Sequence, residues 1–142
     1  MAFRSHFGDE RGLISLWVVL ASFSMIIIVG VAADFSGQAA AEHHARVVAA
    51  QAARAAGQAV QLDALARGGQ VRPDAARAVA AAEASLAQAG LTGSVSVSGT
   101  VVNVAVTSTY ECGFLSIMGI NALPVSGLAS ADVVRTYQGA PR

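Results

Sequence analysis

The segment that decides the fold is GLISLWVVLASFSMIIIVGVAAD, residues 12–34, which is apolar throughout and carries no charge until its last residue. Leu13 to Ala33 is about 21 residues, and at a helical rise of roughly 1.5 Å each it spans about 30 Å, the thickness of a hydrocarbon core. Trp17 lies near one end of this run, which also includes Ile27, and an indole suits the membrane interface. We therefore predict a transmembrane helix over residues 13–33. A buried helix of a soluble protein is disfavoured, because a charge-free run of this length is unusual there.

A cleaved secretory signal is the main alternative for this segment. Val31, Ala32 and Ala33 place small residues where signal peptidase requires them. The apolar run, however, is longer than the roughly 7–15 residues of a typical signal core. The residues after Ala33 also keep helical character, whereas a cleavage site prefers an extended chain. The sequence therefore favours a permanent anchor.

Arginines flank the segment unequally. Arg4 and Arg11 precede it, and only Arg46 follows it closely. The positive-inside bias then predicts a cytoplasmic tail over residues 1–12 and an exported domain over residues 34–142. We expect a single-pass protein of the plasma membrane.

The composition bounds the function further. The chain has 142 residues, for which one domain is the usual expectation, and its formal net charge is zero. No electrostatic argument for nucleic-acid binding exists. Cys112 is the only cysteine, so no intrachain disulfide can form.

No catalytic, cofactor or metal site is predicted. His43 and His44 are neighbours on a helix and point about 100° apart, unlike the i, i+4 pair that binds a metal. His6 is expected on the other side of the membrane. Cys112 has no basic or histidine motif beside it to activate the thiol. Phosphate-binding glycine loops, zinc-protease helices and nucleophile elbows are not found in the sequence.

A long alanine-rich helix is predicted for residues 35–67, where no proline interrupts the chain. An apolar stripe alternates steps of four and three residues along it, so it keeps to one face. Its members are Ala41, Ala45, Val48, Ala52, Ala55, Ala59, Leu62 and Ala66. Small side chains allow close approach of another element. We expect an intramolecular contact in the distal half, and leave open whether the membrane-proximal half packs within the chain or in an assembly.

The remaining elements follow from turn signals and periodicity. Gly68-Gly69 ends the first helix, and Pro73 and Asp74 suit the start of a second over residues 73–89. Its predicted buried face is Ala76, Val79, Ala82, Leu86 and Ala89. Alternating residues then predict strands at about 94–98, 100–110 and 125–137, with Gly99 at a turn and Gly127 weakening the third strand.

The apolar stretch CGFLSIMGINALP, residues 112–124, lies between the last two strands and is bracketed by glycine and proline. We predict a loop or single helical turn. Its large side chains, Phe114, Leu115, Ile117 and Met118, have two interpretations: they fill the core, which is favoured, or they form an exposed patch for a partner or the bilayer surface.

These elements define an α+β fold. A long N-terminal transmembrane helix continues into a soluble domain, followed by a second short helix and a small antiparallel β-meander of about three strands. A three-stranded sheet needs a cover to be stable, and an amphipathic helix on one face supplies it.

Three stretches resemble the TadE/TadG-like pilus-assembly proteins of the Tad, or Flp-type, export machinery, particularly short actinobacterial forms. They are ERGLISLWVVL at 10–20, Asp34 followed by AAQAARAAGQA at 49–59, and FLSIMGINALPVSGLASA at 114–131. Together they are distributed from residue 10 to residue 131 in the expected order. The resemblance implies a pilin-like fold, a soluble domain outside the cytoplasm, and a non-enzymatic minor-pilin or pseudopilin role with other pilus proteins as partners.

The resemblance also identifies a candidate processing site at Gly12 and Leu13. Processed members of the wider pilin group are cut after a glycine and carry glutamate at the fifth residue of the mature chain. Here the fifth residue after Gly12 is Trp17. We therefore expect no cleavage after Gly12.

Overall fold

The computed structural model describes residues 10–66 and 74–132, with side chains described from residue 12 to 60 and across the second range. These described residues form two helices, α1 and α2, three strands, β1 to β3, and one 3₁₀ turn. In chain order these are α1 Glu10–Ala66, α2 Ala75–Gln88, β1 Thr92–Ser98, β2 Val101–Glu111, the 3₁₀ turn Leu115–Met118 and β3 Ala122–Asp132. The fold is α+β, as the sequence predicts.

Helix α1 is a single helix of 57 residues that joins the apolar segment to the alanine-rich segment without a break. No proline lies within it, and alanine supplies most of its second half. Residues 13–33 and 35–66 therefore form one continuous rod. The predicted end at Arg67 and the Gly68-Gly69 stop lie outside the described residues.

Helix α2 is capped at both ends. The side chain of Asp74 accepts a hydrogen bond from the Arg77 backbone N–H and is the N-cap residue. The helix thus begins at Ala75, later than predicted, and Pro73 lies outside the described residues. At the other end Gly90 has a φ of 68°, and the Leu91 N–H donates to the Leu86 carbonyl. This is a Schellman ending, with glycine in the left-handed position just after the helix.

The sheet is an antiparallel meander in the order β1-β2-β3. Ser98 pairs with Val101, so Gly99 and Thr100 form a two-residue hairpin turn. Gly99 has a φ of 60° and Thr100 does not have a positive φ, which is the type II′ pattern that matches strand twist. The predicted turn at Gly99 is confirmed.

Strand β3 differs most from its prediction. It starts at Ala122 rather than Val125, and residues 133–137 lie outside the described chain. Pro124 lies inside the strand, opposite Thr109. A proline is tolerated there because β3 is at the edge of the sheet.

Gly127 does not weaken β3. It is buried, and a Cβ there would overlap the backbone of Ala45 on α1. The glycine allows the strand to lie directly against the helix. The prediction failed because a strand glycine also marks close backbone approach, and the sequence does not distinguish the two cases.

The core lies between α1, α2 and the inner face of the sheet. Val102, Val104 and Val106 of β2 are fully buried there, and each contributes about 1.5–3 kcal/mol by burial. Strand β3 runs the same way as α1: Pro124 bonds to Gln38, Gly127 contacts Ala45, and Asp132 lies near Gly57.

Helix α2 covers the remaining side of α1. Its buried residues are Ala78, Ala82 and Leu86, while Val79 is half-buried and the predicted Ala76 and Ala89 are exposed. The predicted face was wrong at its two ends, because α2 packs on both α1 and β1, and the sequence pattern does not encode where those contacts begin and end.

Candidate membrane anchor and its junction with the sheet

The apolar segment of α1 projects from the folded domain with its side chains exposed. Leu13, Trp17 and Val19 are 64%, 73% and 65% exposed, Ala33 is exposed, and Ile27 is half-buried. Within the described part of the chain, α1 is the one helix long and apolar enough to cross a membrane, and none of its most apolar window is buried. A signal sequence satisfies the same test of length and composition.

Two serines on α1 bond to their own helix. The hydroxyl of Ser24 donates to the Leu20 carbonyl at 2.8 Å, and that of Ser36 donates to the Ala33 carbonyl at 2.8 Å. This back-bonding satisfies a hydroxyl without water. The helix can therefore carry Ser24 in an apolar surrounding at little penalty.

Asp34 links the end of the apolar segment to the sheet. Its side chain is only 3% exposed. The carboxylate accepts hydrogen bonds from the backbone N–H of Gly113 at 2.9 Å and of Leu115 at 2.6 Å. It thus meets the unpaired donors at the start of the 3₁₀ turn, which charge-assisted bonds satisfy well. Asp34 therefore bonds α1 to the turn, in addition to ending the apolar run.

The same contacts fix the charge of Asp34, which lies just beyond the predicted span. Backbone hydrogen bonds, that of Leu115 above all, hold the pKa of its carboxyl below the ordinary value against the opposing effect of burial. The carboxylate is therefore ionised at neutral pH, where it binds the turn most strongly.

Two helix glycines receive aromatic rings from the sheet side. A Cβ at Gly30 would overlap the ring of Phe114, and one at Gly37 would overlap the phenol of Tyr110. Close by, the Gln38 side chain donates to the Pro124 carbonyl at 3.2 Å. These contacts surround Asp34 along the helix and hold α1 tightly against the loop that follows β2.

The hydrophobic turn divides between the two predicted roles. Leu115 is buried and Phe114 is half-buried against α1, so these two residues fill the junction. Ile117 and Met118 are 80% and 66% exposed, and Ile120 is also exposed. The favoured interpretation as core was therefore wrong for the second half of the turn, because a 3₁₀ turn of four residues can bury only one side.

The small-residue stripe of α1 lies against β2, β3 and α2 within the same chain. Ala45, Val48 and Ala52 are buried and Ala41 is half-buried, whereas Ala55 and Ala59 lie half-buried at the margin. Further buried positions are Ala49, Ala53, Ala56 and Val60. The face turns because a straight helix has 3.6 residues per turn and the stripe assumed a shorter repeat. The Leu62 and Ala66 side chains lie outside the described set.

The histidines and the cysteine considered in the sequence analysis do not form one site among the described residues. His43 and His44 are exposed, and His6 is outside the described residues. Cys112 is buried and free, and burial first, then the nearby Asp34 charge, raises the pKa of its thiol. Among described residues no group of three or more His, Cys, Asp or Glu is placed to hold a metal.

The outer face of the sheet is polar and shallow. A depression there is lined mainly by small residues of all three strands, among them Ser94, Ser96, Asn103 and Ser130. Its lining has no titratable side chain, so it offers hydrogen bonding without acid–base chemistry.

The candidate processing site lies near the start of α1. Gly12 and Leu13 are both exposed, and a Cβ at Gly12 would contact nothing within 4 Å. Helix α1 already includes these residues.

Comparison with known proteins finds no matching family model, no matching curated protein and no matching solved structure.

Sequence reasoning missed the partner of Asp34. A charge that ends an apolar run is adequately explained by the membrane surface, so its position alone gives no reason to seek a contact. The turn offers backbone N–H groups, which every residue except proline carries. These groups therefore leave no signal in the residue types of the turn.

Proposed function

We propose that the protein is a membrane-anchored, non-enzymatic component of Tad/Flp-type pilus assembly or a related secretion system, with a minor-pilin or pseudopilin role. One observation carries the proposal: α1 is a single helix whose first half exposes large apolar side chains and whose second half is covered by a sheet. This division matches the pilin-like arrangement that the sequence resemblance implies.

The proposed location is the plasma membrane, crossed once by residues 13–33, with the N-terminus in the cytoplasm and the sheet outside. The exposed apolar side chains and the internally bonded Ser24 support this location, because a helix in lipid presents apolar side chains to it and satisfies its polar groups internally. The alternative is a secreted or anchored soluble binding domain whose signal peptide ends at Ala33 and is cleaved there. Against it, α1 continues through Ala33 without an extended segment, and Phe114 packs on Gly30, upstream of that bond.

The proposed partners are the lipid bilayer and other pilus-assembly proteins, with no nucleic acid. The pilus-assembly or pilin-like proteins are proposed to bind through the Ala-rich helix, whose small-residue face is covered within the chain from Ala45 to Val60. Contacts with other subunits would therefore use the exposed side of α1.

The native N-terminus tests the anchor directly. Membranes from the native host are isolated, and the N-terminal peptide of the protein is determined by mass spectrometry. An N-terminus upstream of Gly12 supports the unprocessed anchor. A start at Leu13 indicates prepilin processing, and a start at Asp34 indicates a cleaved signal and contradicts the proposal.

Deletion of the gene tests the assembly role. Pili are sheared from wild-type and deletion cells and quantified, with the gene restored in trans as the control. We expect fewer pili without the protein. Unchanged piliation in cells that lack it would contradict the assembly role and leave only the anchor.

A further inference from the structure

We infer that the exposed half of the 3₁₀ turn inserts into the interfacial layer of the same bilayer that α1 crosses, as a second membrane contact. The residues are Ile117, Met118 and Ile120, called here the turn patch. The inference rests on the proposed membrane anchoring, and it deepens that proposal by naming a second surface of the protein that binds lipid.

The turn patch lies at the height where the apolar segment ends. Asp34, the first residue after that segment, holds the N–H groups of Gly113 and Leu115. The Phe114 ring packs on Gly30, inside the apolar segment. The turn is therefore fixed beside the last turn of the span, where headgroups surround a transmembrane helix.

The apolar surface of the helix continues onto the turn. A groove lined by Met25, Ile26, Val29, Gly30 and Phe114 joins them, and every lining residue is apolar or glycine. Residues 112–124 contain no charged side chain. Lipid that surrounds the helix can thus extend along the groove to Phe114, the residue that precedes the turn, without meeting a charged side chain in the groove.

The patch also stands out from the rest of the domain surface. Beyond Phe35, the large apolar side chains that the described chain exposes are Val47, Leu128 and the three of the patch. Val47 and Leu128 are isolated, and isolated exposed apolar residues need no explanation. Three together, beside an apolar helix, are typical of interfacial insertion to about 5–10 Å.

The charges that the described residues place nearest the patch decide the type of lipid contact. Asp34 is bonded to the turn itself, Glu111 is exposed at the end of β2, and residues 112–124 contain no basic side chain. Insertion is therefore driven by apolar burial rather than by attraction to anionic headgroups. We expect the patch to insert into purely zwitterionic bilayers.

The experiment measures lipid contact at three single cysteines in the full chain. Cys112→Ala provides the background, and Ile117→Cys, Val19→Cys or Leu128→Cys carries an environment-sensitive fluorophore. Each variant is placed in phosphatidylcholine nanodiscs at one protein per disc, with or without lipids bearing a nitroxide high on the acyl chain. Circular dichroism checks that each variant is folded.

Leu128 is the matched control because its side chain is nearly as exposed as that of Ile117 but lies further from the apolar segment along the axis of α1. It is 75% exposed, and the adjacent Gly127 contacts Ala45, which is 11 residues, or about 16 Å of helix, beyond Asp34. We expect blue-shifted emission and loss of most fluorescence to the nitroxide at positions 19 and 117, and neither change at position 128.

The possible outcomes separate the inference from the proposed anchor. Quenching at position 19 but not at 117 would overturn the inference and leave the anchor intact. A blue shift at 117 without quenching would assign the patch to a protein contact and also overturn it. Absence of quenching at both positions would overturn the anchor and the inference together.

Discussion

The carboxylate of Asp34 accepts a 2.6 Å hydrogen bond from the backbone N–H of Leu115, 81 residues further along the chain. Asp34 ends the apolar segment, and Leu115 begins the turn between β2 and β3. The bond joins α1, at the end of its exposed half, to the turn that precedes β3. Its contribution can be tested by mutation and by pH.

Asp34→Asn is expected to lower the thermal unfolding midpoint of the domain by several degrees. The amide keeps the shape but has one acceptor oxygen, and its NH₂ group faces backbone donors. The measurement is circular dichroism in detergent micelles. Glu42→Gln is the control, because it removes only the exposed ion pair to Arg46. Equal midpoints for Asp34→Asn and the wild type would show that the junction bond is not stabilising.

Acid is expected to weaken the same junction. Because the pKa of Asp34 is lowered on folding, its ionised form adds stability above the unfolded value of 3.8, and this stability is lost as the pH falls through the lower folded pKa. The midpoint difference between wild type and Asp34→Asn should be constant near neutral pH and shrink below about pH 4. A difference that stays constant down to the folded pKa would contradict this assignment.

Gly127→Ala is expected to destabilise the domain by about 1–3 kcal/mol, the usual range for overpacking. The new methyl would overlap the backbone of Ala45, which cannot move aside as a side-chain tip can. Urea unfolding measures the change. Ser126→Ala, at the exposed neighbouring position, is the control and should differ little from wild type.

Gly57→Ala is expected to have the opposite effect. Gly57 lies inside α1, and an added Cβ would find its nearest neighbour, the Asp132 carbonyl oxygen, at an ordinary 3.8 Å. Alanine restricts the unfolded chain and favours the helix, so the gain should be about 0.5–1 kcal/mol. The same urea titration applies, and a loss of stability would show that the backbone of β3 lies closer than described.

Cys112 is expected to react slowly with thiol reagents at neutral pH. Its thiol is buried and its pKa is raised, so little thiolate is present and access is restricted. Ellman's reagent should react with it much faster after denaturation in urea than before. Rapid reaction of the folded chain would reopen the possibility of a nucleophilic role.

The sequence predicted the elements of the fold well because each has a local cause. Each of these causes acts within a few residues of the chain. They are the charge-free run, the alanine-rich stretch, Gly90 and the alternation around Val104. Their order then left few ways to cover a three-stranded sheet.

The contacts between elements were harder to predict from the sequence. The exact face of α1 depends on where β3 and α2 meet it, which shifted burial from Ala55 to Ala56 and from Ala59 to Val60. The role of Gly127 depends on Ala45, and that of Asp34 depends on backbone groups 81 residues away. Long-range contacts of this kind are geometric outcomes of packing, and residue type alone carries little trace of them.

The single rod of α1 has a mechanical consequence. From Asp34 to Ala66 it extends about 48 Å beyond the apolar segment. The turn before β3 is bonded to it at Asp34, and Asp132 at the end of β3 lies near Gly57. A force applied to the far end of the domain therefore acts along the helix axis, and a rotation of the helix also rotates the sheet. The domain is therefore coupled mechanically to the apolar segment by a continuous helix rather than by a flexible linker.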